Sequence, residues 1–185
     1  MVKDMKIYTR KGDDGTTGLF YGGRVRKDSE LPTAYGEVDE AQAAIGLARS
    51  AIKSGNEIDL LLIQILRDLW VLMAELATLP ENREKLEEGK SLVSSEMVTD
   101  LEDAIDKFSK EFVMPEEFVV PGQNETSSRF DLARTVVRRA ERATLSVEVE
   151  GSFVLPYLNR LSDLMWILAR LHEEDTLIAK IDTKD

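Results

Sequence analysis

Five stretches of the chain repeat apolar residues at intervals of three and four, the spacing that lines one face of an α-helix. From about Leu31, residues Tyr35, Val38, Ala41, Ile45 and Ala48 make the first face. Glu37, Asp39 and Glu40 stand near that helix's N-terminal end, where the macrodipole favours carboxylates. A second face runs through Leu62, Ile65, Leu69, Leu72, Met73 and Leu76 and stops near Pro80, which cannot continue a helix. A third helix, with Ser94 or Ser95 as N-cap, carries Met97, Leu101, Ile105 and Phe108 and ends by Pro115. In a fourth, capped by Ser127 or Ser128, the seam is Phe130, Ala133, Val137, Ala140 and Thr144. The fifth follows Gly151-Ser152, has Pro156 near its start and buries Leu158, Leu161, Leu164, Met165 and Leu168.

The connections carry their own signals. Glu81 to Gly89 is charged, without an apolar period, and reads as exposed. Phe118-Val119-Val120-Pro121-Gly122 is an apolar run closed by a turn signal and too short for a helix. Beyond about Glu174 the chain is mostly polar, with Leu177, Ile178 and Ile181 as docking points. Long amphipathic helices joined by short connections predict an all-α, up-and-down helical bundle. The expected organisation is one domain over 1–185: an N-terminal segment 1–30, a bundle over about 31–173, and a tail 174–185.

Composition narrows the chemistry. The net charge of −11 argues against a broad nucleic-acid footprint. With no cysteine and a single histidine, His172, thiolate catalysis, zinc-finger sites and Cys–His pairs are excluded. His172 falls at a helix end, where a cation suits the dipole. The most apolar stretch, Ile58 to Leu76, is interrupted by Asp59, Gln64, Arg67, Asp68 and Glu75, so it reads as a core helix and not a membrane span. The N-terminus has no signal-peptide core, and the expected location is cytoplasmic.

Against this acidic background two stretches concentrate positive charge. Residues 9–23 hold glycines at 12, 15, 18, 22 and 23 among Thr9, Thr16 and Thr17, with Lys11, Arg24, Arg26 and Lys27 nearby. Glycine lets backbone amides approach phosphate oxygens closely, so a polyphosphate loop is one reading and a glycine-rich surface hairpin the other. The stretch matches neither Walker A nor G-x-G-x-x-G. Farther on, Arg134, Arg138 and Glu141 form a stripe beside the seam of the fourth helix, suited either to clamping an anion or to a solvated face with local salt bridges.

Four stretches together resemble the ATP:cob(I)alamin adenosyltransferases of the diol-utilisation type: Tyr8 to Thr17, Tyr35-Gly36-Glu37-Val38-Asp39-Glu40, Arg134 to Arg142, and Leu158-Asn159-Arg160-Leu161-Ser162-Asp163. The resemblance implies a five-helix bundle assembled as a homotrimer with active sites between subunits. It implies ATP and a cobalamin as substrates and Mg²⁺ carried on the ATP phosphates, with no protein side chain as metal ligand. Thr9, Arg10, Gly12, Asp13, Gly15, Thr16 and Thr17 would wrap the triphosphate, with Lys27 and Arg138 adding charge and Glu141 holding the nucleotide. Asp39 and Arg134 match a salt bridge made across subunits, and Phe118 matches the aromatic that displaces the lower axial ligand of cobalt. Asn159 and Trp166 match positions near the corrin, although Trp166 stands where the family commonly has phenylalanine. Candidate protein partners are a cobalamin reductase and a B12-dependent enzyme; no nucleic acid and no membrane are expected. The competing reading is a catalytically inactive nucleotide-binding bundle with a regulatory or assembly role, for which Phe118, Asp39 and Asn159 have no use.

Overall fold

The structure, a computed structural model, describes residues 8–147 and 149–179. Five α-helices dominate: α1 Glu30–Arg49, α2 Glu57–Leu76, α3 Ser95–Phe108, α4 Glu125–Thr144 and α5 Val154–Leu171. Cross-helix bonds give their directions. Gln42 of α1 donates to the Leu66 carbonyl of α2 at 2.7 Å, and Arg49 near the end of α1 meets Asp59 near the start of α2 at 2.6 Å, so the two run antiparallel. Glu75 at the end of α2 accepts from the Val93 amide just before α3, while Lys107 near the end of α3 reaches Glu57. The same logic sets α4 against α1 through Arg129–Leu47 and Arg139–Glu37, and α5 against α4 through Asn159–Glu141 and Arg170–Asp131. The bundle is therefore up-and-down, with α1, α3 and α5 pointing one way and α2 and α4 the other.

Its core is the set of predicted seams. Ala34, Val38, Ala41 and Ile45 of α1 meet Leu62, Leu69 and Leu72 of α2, Phe130, Ala133 and Val137 of α4, and Leu158, Leu161, Leu164 and Leu168 of α5 in one buried cluster. Removing most of the side chain of such a leucine costs about 2–5 kcal/mol, through lost transfer energy and the cavity left behind. Ser94 caps α3 as expected, accepting from the Met97 amide at 3.3 Å. The cap of α4 differs from expectation. It is Asn124, whose side chain accepts from the Ser127 amide at 2.9 Å, so the helix begins before the two serines proposed as caps.

The charged segment from Glu81 to Gly89 has no buried residue, as expected, yet part of it is ordered. Pro80–Lys85 forms a 3₁₀ helix that aims Arg83 at Glu75 (2.7 Å), a carboxylate only 1% exposed. Asp59 and Asp68, read as interruptions of the apolar stretch, are likewise buried on α2. The glycine-rich stretch folds as an antiparallel hairpin, β1 Thr16–Gly18 and β2 Arg24–Arg26, with Thr17 opposite Val25. The hairpin docks on the end of α2, where the Phe20 amide donates to the Ala77 carbonyl at 2.9 Å. At the other pole of the bundle, Leu177 and Ile178 meet the Phe118 segment through their backbone, but their side chains stay 54% and 37% exposed and do not dock as the apolar anchors expected; Ile181 lies outside the described residues. Among the described residues, no helix is long and apolar enough to cross a membrane.

Candidate active site

The hairpin encloses a cleft of about 350 Å³ lined by Thr9, Lys11, Gly12, Thr16, Thr17, Gly18, Arg24 and Lys27. Its shape follows from local turn chemistry. Asp14 accepts from the Thr16 amide at 2.9 Å and from the Thr16 hydroxyl at 2.7 Å, closing an Asx turn. These two bonds, the hydroxyl's first, hold the Asp14 carboxyl below its ordinary range. Gly15 turns the chain at φ 81°, a conformation that favours glycine, and its carbonyl accepts from the Lys27 amide at 2.9 Å. Arg24 crosses the hairpin to donate to the Thr16 hydroxyl and to the Lys11 carbonyl, both at 2.6 Å. A Cβ at Gly12 would lie 3.1 Å from both Lys27 Nζ and the Thr16 carbonyl oxygen, so glycine there lets the lysine head close over the loop backbone. The lining holds three cations and no carboxylate.

Thr9, Gly12, Thr16, Thr17 and Lys27, all named from the sequence, line this cleft. Arg10, Asp13 and Gly15 belong to the same loop without lining it, and the Arg10 guanidinium rests 5.6 Å from the centre of the Tyr8 ring. Lys11 and Arg24 entered the sequence reading only as nearby charge, and Asp14 only as part of a motif. The Asp14-Gly15 turn signal was the available clue to the lock on Thr16.

A second polar group sits where α4 and α5 cross. Asn159 Nδ2 donates to the Glu141 carboxylate at 3.0 Å, and its Oδ1 accepts from Arg160 at 2.7 Å; Arg160 in turn donates to Glu102 of α3 at 2.8 Å. Arg138 stands exposed one turn before Glu141. Desolvation pushes the Asp163 carboxyl up, Arg160 and Arg138 pull it back, and Glu141 pushes it further, so these four charges share one field. Arg160 and Asp163 were absent from the predicted set although they lie inside its fourth stretch.

The arginines of α4 thus divide by partner. Arg139 is engaged by Glu37 at 2.5 Å and by Glu40 on α1, and those bonds raise its already high pKa. Arg134 donates to Asp131 at 3.3 Å and not to Asp39 of its own chain. Asp39 is exposed and makes no hydrogen bond or ion pair among the described residues. Asp131 is also held by Arg170 at 2.5 Å, and Arg170 lies against the half-buried Trp166 ring at 5.5 Å. Phe118, at 88% exposure, stands on the connection between α3 and α4. Among the described residues no hydrogen bond or ion pair joins the hairpin to Arg138, Glu141 or Asn159, and no cluster of three His, Cys, Asp or Glu could hold a metal ion. A separate recess of about 320 Å³ near Leu31, Leu76 and Val154 has Glu75 on its wall, but Arg83, Ser152 and the Val93 amide already occupy that carboxylate.

The chain matches the family model described as cobalamin adenosyltransferase over residues 7–172. It is 41% identical to a corrinoid adenosyltransferase of Mycobacterium tuberculosis over 176 residues, 92% of this chain and 90% of the relative. It is 39% identical to the corrinoid adenosyltransferase PduO of Salmonella typhimurium over 180 residues, 96% of this chain but 52% of the relative. The chain therefore spans about half the length of the PduO relatives it matches. Among solved structures, a variant PduO-type ATP:corrinoid adenosyltransferase from Lactobacillus reuteri complexed with cobalamin and ATP superimposes with a TM-score of 0.83 at 29% identity, covering 94% of this chain and 96% of that one.

Proposed function

The chain belongs to the cobalamin adenosyltransferase family, and from that premise we propose that it transfers the 5′-deoxyadenosyl group of ATP to the cobalt of a reduced cobalamin. In this reaction the cob(I)alamin electron pair attacks C5′, the C5′–oxygen bond breaks, and triphosphate leaves with the bonding electrons. The protein need supply no nucleophile, in keeping with a chain that has no cysteine and one histidine. It has to neutralise the leaving group and align the carbon.

The observation that carries this reading is the hairpin cleft. In a chain of net charge −11, its lining presents Lys11, Arg24 and Lys27 with three threonines and no carboxylate, the donor set that triphosphate oxygens need. Mg²⁺ bound to those phosphates supplies further charge neutralisation. Arg10, Asp13 and Gly15 shape the loop; Arg138 adds charge at the departing phosphate and Glu141 holds the nucleotide. The bond from Asn159 to Glu141 supports a site in which nucleotide and corrinoid are held next to each other, with Trp166 and Phe118 proposed as the corrinoid's aromatic contacts.

We assign the working form to a homotrimer with sites between subunits. Within one chain the hairpin cleft and the Arg138–Glu141–Asn159 group are not bonded to each other, and exposed Asp39 lacks a partner among the described residues. Gly36, inside α1, costs about 1 kcal/mol relative to alanine, and beyond its own helix turn no described residue stands within 4 Å of where its Cβ would be. That open space beside Asp39 suits the close approach of another subunit bringing Arg134. A supply of ATP and of strongly reduced corrinoid fits a cytoplasmic setting, with a cobalamin reductase and a B12-dependent enzyme as natural partners.

The test is anaerobic incubation with ATP, Mg²⁺ and chemically reduced cobalamin, followed by the absorption spectrum. Adenosylcobalamin should form together with triphosphate. ATP binding without product would favour an inactive nucleotide-binding bundle.

A further inference from the structure

We infer that the segment following α5, residues 173–179, is a strap that stations Phe118 and thereby sets how efficiently the chain starts from cob(II)alamin. The inference rests on the reading of Phe118 as the aromatic that displaces the lower axial ligand.

The connection from α3 to α4 has little structure of its own where Phe118 lies. Its backbone order comes from the far end of the chain. The Ala179 amide donates to the Phe118 carbonyl at 2.7 Å and the Val120 amide donates to the Leu177 carbonyl at 2.8 Å, on either side of an antiparallel bridge between Val119 and Ile178. Side chains alternate across such a pairing. Val119 is half-buried against the protein, while Phe118 and Val120 face outward. The pairing therefore decides which way the Phe118 ring points, and a slip of one residue would turn it inward.

The start of the strap and the loop it pairs with are each anchored. Asn124, the cap of α4, donates through Nδ2 to the His172 carbonyl at the end of α5 at 2.6 Å. The His172 ring stacks on Phe130 with centroids 5.4 Å apart. Glu173 is fixed by buried Arg170 at 2.9 Å, and Thr176 donates to Glu173 at 3.3 Å. On the loop side, Gln123 Nε2 donates to the Val120 carbonyl at 3.1 Å. The result is a closed ring: α4 start, α5 end, strap, Phe118 segment, α4 start. Its weakest part is the two-bond bridge at the surface, which can open locally without disturbing the bundle. An opening at that point suits the entry of a corrin, and reclosure would return the ring to its station.

The test uses full-length Ala179→Pro, which removes the N–H held by the Phe118 carbonyl, and Ala179→Ser, which keeps it. Hydrogen exchange at the Val120 amide, four-coordinate cob(II)alamin in the ATP complex by magnetic circular dichroism, and turnover from cob(II)alamin and from cob(I)alamin are measured, with Phe118→Ala alongside. Ala179→Pro should exchange faster at Val120, form less four-coordinate species and lose about tenfold or more in kcat/KM from cob(II)alamin, with turnover from cob(I)alamin nearly kept. Ala179→Ser should behave as the parent. Unchanged Val120 exchange in Ala179→Pro overturns the strap itself. Faster exchange with an unchanged four-coordinate signal, or equal losses from both corrinoid states, overturns its positioning role. If Phe118→Ala also leaves that signal intact, the reading of Phe118 falls with it.

Discussion

Asn159 of α5 and Glu141 of α4 meet at 3.0 Å, so a residue assigned to the corrinoid and one assigned to the nucleotide form a single hydrogen-bonded unit. With Arg160 donating to the other face of the same amide at 2.7 Å, the orientation of Asn159 is determined from both sides.

Asn159→Ala should lower kcat/KM for ATP by roughly 10- to 100-fold, because Glu141 loses the donor that orients it. Asn159→Asp should be worse, since it opposes one carboxylate with another. Steady-state kinetics in both substrates measures this, and an aspartate variant more active than the alanine one would contradict it.

Arg138 and Arg139 are neighbours with different surroundings, so their variants should fail differently. Arg138→Ala should cut kcat by about 100-fold or more with little change in Tm, because Arg138 is exposed and is the residue proposed to meet the developing charge. Arg139→Ala should retain most activity with only a small fall in Tm, as expected for a half-exposed pair with Glu37 and Glu40. Paired kinetics and thermal melts distinguish the two; an inactive Arg139→Ala of normal stability would reverse the assignment.

Asp131 joins Arg134 to Arg170. Arg170 is 3% exposed and its Nε has no hydrogen-bond partner among the described residues, so Asp131→Ala would leave a buried guanidinium with Glu173 as its remaining counter-ion. Urea denaturation should register a loss of about 3–5 kcal/mol. A loss below about 1 kcal/mol would mean that the arginine relaxes into solvent.

Asp68 gives a pH test. Desolvation raises its carboxyl above 3.8, opposed by donors from Gln64 and Tyr157. With the folded-state pKa raised, its contribution to stability is fully present below 3.8 and is lost as pH rises through the folded value. Asp68→Asn cannot ionise, so its stability relative to the parent should increase across that window and then level off. Denaturation at several pH values would reveal a constant difference if the carboxyl titrates normally.

Helix-by-helix, the fold was legible because periodicity and capping are local. Ser94 was recoverable as a cap, whereas Asn124 was passed over for the serines that follow it, which lie inside the helix it starts. The buried carboxylates of α2 were not legible as such. Asp59, Asp68 and Glu75 looked like interruptions because their partners Arg49, Tyr157 and Ser152 lie 10, 89 and 77 residues away.

The sequence alone determined the five amphipathic faces and the chemistry of two cationic stretches, since a 3.6-residue period and a run of turn-forming glycines are written in neighbouring residues. Only the tertiary structure decided who faces whom: Arg139 with Glu37, Arg170 with Asp131, Glu141 with Asn159, and the strap with the Phe118 segment. Periodicity says which side of a helix is buried. What lies across from that side depends on how the helices pack, and that is a property of the whole bundle.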